Sequence, residues 1–388
     1  MSLDVDDGKL DDVGALARAD PDQMLRAVAT SAAQVRSGLT AAREARLDTL
    51  TAEGRPRAVV VTGMGGSGIA GDVLAAIAAP SSPTPVFVHR GPGLPGWVGA
   101  ADLVVAVSCS GSTRETLAAT DEAIRRGAQL VGIAAAGSPL ADRCTNARAL
   151  LVPVVAQLAP RASLWALATP VLVAAARLGL LDLGPDDQAL EAAARRLELI
   201  ADLCRPDRES FVNPAKTLAI ELAGRLPMAW GAGQTGGLAA YRFGCQMAEN
   251  AKLPAVTGAL PEAHHNQVVA LDGALAGGSA ETDLFRDRVE DDAGTSLRLR
   301  LVLLHDADGD AASAARVEVS QEVAERRGVP TSLVRSEGDG PVERLASLVA
   351  VIDYATVYAA LHQSIDPTPI GPIDELKARL SRDEQRAD

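Results

Sequence analysis

The chain has 388 residues, with 50 acidic against 37 basic side chains and a formal net charge of −13. It is 47% hydrophobic and 22% charged, the composition of a folded globular protein with room for two domains and a large core. The acidic balance argues against a general nucleic-acid footprint, while a locally positive pocket for a small anion remains compatible with it.

In chain order, the stretch around Asp4, Asp6 and Asp7 lacks the basic and apolar regions of a secretory signal, so a cytoplasmic protein is expected. Residues 1–50 read as a helical segment anchored by Leu16, Met24, Leu25, Val28 and Val35. Over 51–162 strands and helices alternate. Ala58–Thr62 is a buried-strand run, Ile69–Ala79 a helix, Pro85–Val88 a second strand, and Leu103–Val107 a third, followed by a helix to Arg126. Gln129–Ile133 and Ala149–Val152 are two further strands. Alternation of this kind implies βαβ units and a parallel sheet.

Residues 163–222 read as a helical bridge. Within it the apolar stretch Leu164–Leu181 is broken by Pro170 and Arg177, so it reads as a buried core helix rather than a membrane span. The rhythm resumes over 223–388, with strands at Leu226–Gly231, Leu299–His305 and Thr331–Arg335 and helices at Gly237–Lys252, Ala314–Arg327 and Val342–Leu361. Residues 272–298 have weak periodicity and read as a surface excursion. Cys109, Cys144, Cys204 and Cys245 show no CxxC spacing and read as thiols of a reducing compartment.

Two loops carry the chemistry. Ser108-Cys-Ser-Gly-Ser-Thr113 lies between a strand and a helix. Hydroxyls and a glycine at such a junction suit an anion, because first-turn N–H groups lack intrahelical partners and the helix dipole favours negative charge. No Lys lies in the loop, so a compact phosphomonoester fits better than a nucleoside triphosphate. Gly63-Met-Gly-Gly-Ser-Gly68 formally satisfies the dinucleotide fingerprint, but the second strand ends in His89 and Arg90 with no acid to hold a ribose. A small phosphorylated ligand between the two loops is the preferred reading, and a plain tight turn the bland one. Gly231–Gly237 has few hydroxyls and reads as a structural turn.

These loops together resemble a sugar isomerase (SIS) domain. Ala159-Pro-Arg-Ala162, Glu249-Asn-Ala-Lys252, His265-Asn266 and Asp366-Pro-Thr-Pro369 followed by Lys377 resemble, in order and spacing, the bifunctional phosphoglucose/phosphomannose isomerases. The resemblance implies an α/β fold of two SIS domains, each a parallel sheet flanked by helices. It implies a homodimer with the active site at the subunit interface, and neither cofactor nor metal. The loop departs from the family's habit at Cys109 and Ser112, where an aromatic residue and an asparagine are commoner.

By the same resemblance, Gly66, Ser67, Ser108, Ser110 and Thr113 hold the substrate phosphate. Aldose–ketose isomerisation needs a base near C1 and C2, a positive group for the oxyanion, and a proton donor for ring opening. Glu249 is the candidate base, its bland alternative being a surface pair with Lys252. His265 is the candidate for ring opening, contributed by the neighbouring subunit. Adjacent His264 and His265 suggest no metal, since neighbours in sequence rarely converge on one ion. Arg161 is the candidate enediolate stabiliser, or else a helix N-terminal salt bridge. Lys377 returns a C-terminal helix to the sugar ring, or else lies on a solvated charged face. Thr368 is a candidate for shaping the C2 side. A non-catalytic sugar-phosphate regulator is the competing function. A hexosamine synthase would need an N-terminal Cys, which Met1-Ser2-Leu3 does not offer.

Overall fold

Two parallel sheets organise the computed structural model, which describes residues 8–155, 159–276, 297–307 and 311–384. The N-terminal segment folds as α1 (Val13–Ala19), α2 (Met24–Ala29) and α3 (Ser31–Glu44). The first sheet has the order β2-β1-β3-β4-β5, from β1 (Val59–Thr62), β2 (Val86–His89), β3 (Leu103–Ser108), β4 (Gln129–Ala135) and β5 (Leu150–Val154). Its crossover helices are α4 (Gly66–Ala78), α5 (Arg114–Arg125) and α6 (Pro139–Asn146). Every residue of β1 and β3 is buried, as expected of unbroken Val/Leu/Ala runs covered on both faces. Helix α4 starts three residues earlier than its apolar pattern, because Gly65 takes φ +53° and turns the chain directly into the helix.

The helices α7 (Leu164–Arg177), α8 (Gln188–Leu203) and α9 (Pro214–Glu221) lie between the sheets in sequence. α7 is buried almost throughout despite Pro170, matching its reading as a core helix. Where it crosses α3, a Cβ on Gly38 would lie 2.9 Å from Thr169, so only glycine permits that approach.

The second sheet has the order β7-β6-β8-β9, from β6 (Arg225–Ala232), β7 (Val256–Ala259), β8 (Arg298–His305) and β9 (Thr331–Arg335). α10 (Gly233–Gln246) follows β6 and runs on as a π-helical turn over Met247–Ala251. α11 (Ala311–Glu325) and α12 (Pro341–His362) complete this half, and α13 (Gly371–Glu384) ends the described chain. By length and composition α12 passes for a membrane span, but 94% of its apolar window is buried inside the protein. It packs with α3, α4, α7, α8 and α10 in one continuous apolar core. The expected surface excursion lies mostly outside the described residues. Gly231 and Gly236 pack backbone to backbone, a Cβ on Gly231 falling 2.0 Å from the Gly236 carbonyl oxygen, so this turn is built for close packing.

Candidate active site

In the first sheet β1 is followed by α4 toward β2, and β3 by α5 toward β4, so the two turns diverge at the carboxyl ends of β1 and β3. That is the crevice where open α/β sheets bind ligands. The sequence places the glycine loop on one side of it and the serine loop on the other. Ser67 Oγ accepts from the Cys109 N–H at 3.2 Å and so joins the loops. Ser108 Oγ lies 2.9 Å from Thr113 Oγ1 and accepts from the Gly111 N–H at 3.0 Å. Thr113 occupies the N-cap position of α5 without capping it, so its hydroxyl serves the loop instead. Ser112 donates its hydroxyl to Ser110 Oγ at 3.0 Å. Gly111 sits at φ +67°, and a Cβ there would fall 1.9 Å from Ser138 Oγ. The cradle therefore requires glycine at this point on both conformational and steric grounds.

Gly66 connects the cradle to the rest of the site. A Cβ on it would lie 3.0 Å from the Pro160 carbonyl oxygen and 3.8 Å from Arg161 Cα, so the N-terminus of α4 rests directly on the turn carrying Arg161. Arg161 is only 5% exposed. Its Nε donates to Asn250 Oδ1 at 2.8 Å, and its Nη2 donates to the carbonyls of Pro367 and Thr368 at 2.8 and 2.7 Å. Burial lowers its pKa, opposed by Glu249 and Asp366; an arginine remains a cation throughout the physiological range. Its backbone carbonyl accepts from Arg242 Nη2 at 2.9 Å and Gln246 Nε2 at 3.1 Å.

Glu249 stands on the π-helical turn, with its Oε2 3.9 Å from Arg161 Nη1 and its side chain 30% exposed. The carboxylate faces the guanidinium without a close bidentate grip, an arrangement that leaves its oxygens available to a reacting proton. The expected competing pair with Lys252 is not made by the carboxylate. Lys252 Nζ donates instead to the Glu249 carbonyl at 2.6 Å and to the Pro367 carbonyl at 3.1 Å. Thr368 presents a buried Oγ1 that has no hydrogen-bond partner among the described residues, while its N–H is held by Asp366 at 2.9 Å.

The first-half cradle, Arg161, Glu249 and Thr368 thus form one locus. The other two candidates stand on separate elements of the second half. His265 ends a short 3₁₀ turn (Glu262–His265), is exposed, and makes no hydrogen bond to Glu249 or Arg161. Lys377 lies on α13, whose residues 371–380 are all exposed. His264 is committed to Ser320 Oγ at 2.8 Å and packs edge-on to Trp230. No cluster of His, Cys, Asp or Glu suited to a metal occurs among the described residues. Arg90, which lies against Gly68 of the glycine loop, pairs with Asp72.

Comparison with known proteins shows the family of the chain. Residues 55–170 match the SIS domain family, and residues 211–380 match the bacterial phospho-glucose isomerase C-terminal SIS domain. The bifunctional phosphoglucose/phosphomannose isomerase of Caldicellulosiruptor bescii is 30% identical over 325 residues, 83% of this chain and 89% of that protein. The chain belongs to the bifunctional phosphoglucose/phosphomannose isomerase family. Further members from Aquifex aeolicus and Thermoplasma acidophilum are 29% and 28% identical, over 84% and 83% of this chain and 91% and 89% of their own. Among solved structures, a glucose-6-phosphate isomerase from Chlamydia trachomatis superposes with a TM-score of 0.68 at 12% identity, covering 98% of this chain and 85% of that one. A hypothetical protein of Thermus thermophilus gives 0.68 at 15%, covering 96% and 94%. These superpositions establish the shared fold.

Sequence reasoning gave no role to Asn250, Gln246, Arg242 or Asp353, which surround Arg161. A signal was present. Arg242, Gln246 and Asn250 recur at helical spacing, and Asp353 is the only charged residue between Leu345 and Leu361. A polar seam between two apolar helices is what that pattern describes.

Proposed function

We propose that this isomerase interconverts glucose 6-phosphate and mannose 6-phosphate with fructose 6-phosphate through an enediolate. The observation that carries the proposal is the Glu249 carboxylate 3.9 Å from the buried Arg161 guanidinium, which stands on a turn that Gly66 presses against the phosphate cradle. Ser67, Ser108, Ser110 and Thr113 hold the phosphate, with the N-termini of α4 and α5 supplying backbone donors. Glu249 takes the C2 proton of the open-chain aldose and returns it to C1, while a hydroxyl proton passes from O2 to O1. Arg161 stabilises the negative charge that develops on those oxygens, a contribution of about 3–4 kcal/mol for a single well-placed donor.

Thr368 shapes the C2 side, where room for either epimer lets one site accept both aldoses. His265 opens the ring from the neighbouring subunit and Lys377 approaches the sugar, so a homodimer completes the site. The relatives' names as bifunctional isomerases support this reading.

The test incubates EDTA-treated protein separately with glucose 6-phosphate and mannose 6-phosphate and measures fructose 6-phosphate. Product from both is expected, and product from one narrows the substrate. Thermal stabilisation by both sugars without any product would replace the proposal with a binding regulator.

A further inference from the structure

The Arg242–Asp353 pair lies buried behind Arg161. Arg242 is 1% and Asp353 5% exposed. Arg242 Nε and Nη2 donate to the two carboxylate oxygens at 2.8 and 2.6 Å, and Gln246 Nε2 donates to Asp353 Oδ1 at 3.1 Å. A buried ion pair is weak evidence for stability, because apolar residues of similar volume commonly do as well or better. Its partners suggest another reason for it. The same Arg242 Nη2 and the same Gln246 Nε2 both donate onward to the backbone carbonyl of Arg161.

Arg161 sits on the 3₁₀ turn Pro160–Ala162, a single short turn that has little rigidity of its own. It is gripped at its carbonyl by two donors and at its guanidinium by Asn250, Pro367 and Thr368. Arg242, Gln246 and Asn250 all come from α10 and its π-helical extension, the segment that also carries Glu249. One segment therefore fixes both the proposed base and the backbone of the proposed oxyanion stabiliser.

We propose that Arg242, Asp353 and Gln246 are positioning residues for Arg161, aiming its guanidinium by clamping its carbonyl. This rests on the reading of Arg161 given under Proposed function. Misplacing a group at the reacting centre by about 1 Å costs on the order of 10²-fold in rate, so loosening this clamp is expected to lower kcat while leaving substrate binding largely intact.

The experiment replaces the pair together, Arg242→Met with Asp353→Leu, so that no buried charge is left alone, and separately makes Gln246→Met, which removes one clamp and keeps the pair. Melting temperature, kcat and KM are measured in the wild-type and Arg161→Ala backgrounds. Expected is a fall in kcat of about ten- to a hundredfold for the pair and a smaller fall for Gln246→Met, with KM within about twofold. In the Arg161→Ala background neither change should lower kcat further, although their effects on melting temperature persist. If the pair variant does not fold, Gln246→Met alone carries the same comparison. An undiminished kcat, or losses that multiply with Arg161→Ala, would overturn the inference. Normal turnover of Arg161→Ala itself would instead overturn the role given to Arg161.

Discussion

Replacing Glu249 by Gln preserves the side chain's shape and removes its charge, which separates the proposed chemistry from packing. Two unit charges about 4 Å apart attract by about 4 kcal/mol at the effective dielectric near a protein surface. With the Glu249 side chain 30% exposed, screening reduces the net contribution to about 1 kcal/mol or less. Arg161 keeps its bonds to Asn250, Pro367 and Thr368, so the fold should barely respond, with the melting temperature moving by about 2 °C. Turnover should respond strongly, because a general base contributes about 10²–10⁴ in rate, equivalent to about 3–5 kcal/mol on the barrier. The assay follows fructose 6-phosphate conversion through a coupled dehydrogenase, with solvent deuterium incorporation at C1 and C2 as an independent reading of proton transfer. Expected are a kcat lowered by at least about a hundredfold, a KM changed by less than about threefold, and deuterium exchange lost in parallel. A folded Glu249→Gln protein that turns over within about threefold of wild type would remove Glu249 from the mechanism.

Three further outcomes follow from the geometry. Gly111→Ala forces a Cβ into the left-handed region at φ +67° and against Ser138, costing at least about 1–2 kcal/mol; thermal denaturation should show the loss, and steady-state kinetics a raised KM for the sugar phosphate. Thr368→Val removes a buried hydroxyl that has no partner among the described residues, so stability should hold or rise while the ratio of mannose to glucose 6-phosphate kcat/KM shifts; an unchanged ratio would remove Thr368 from substrate choice. Burial pushes the Asp102 carboxyl up, but Arg57 and the Gly99 N–H outweigh it and leave its pKa below the ordinary value of 3.8. A carboxyl lowered by folding stabilises the protein above its unfolded pKa and loses that contribution as pH falls through the folded one. Asp102→Asn should therefore be less stable at pH 7 and lose less stability on acidification below about pH 4, as chemical denaturation across pH will show.

The strands that carry the first sheet were legible because Val59–Val61 and Leu103–Val107 are unbroken apolar runs, buried throughout. β7 was not, since Val256-Thr-Gly-Ala259 is a four-residue edge strand with one large apolar side chain. The helix expected over 237–252 begins at Gly233 and changes to a π-helical turn at Met247. Glycines mask the start, and the inserted turn leaves no mark in a 3.6-residue periodicity. The proposed phosphate cradle could be suggested from local composition because its residues lie in two short loops, which the structure joins through Ser67 and Cys109. The surroundings of Arg161 could not, because its partners lie 81 to 207 residues away in sequence, and only the likeness to a family placed Arg161 and Glu249 together.

That separation has a consequence for how the protein is made. The cradle and the turn bearing Arg161 belong to the first half of the chain, but the carbonyls that hold the guanidinium belong to Pro367 and Thr368. A growing chain makes the turn that bears Arg161 more than 200 residues before the carbonyls that hold its guanidinium. The guanidinium can therefore take up its final hydrogen bonds only when nearly the whole chain has been made.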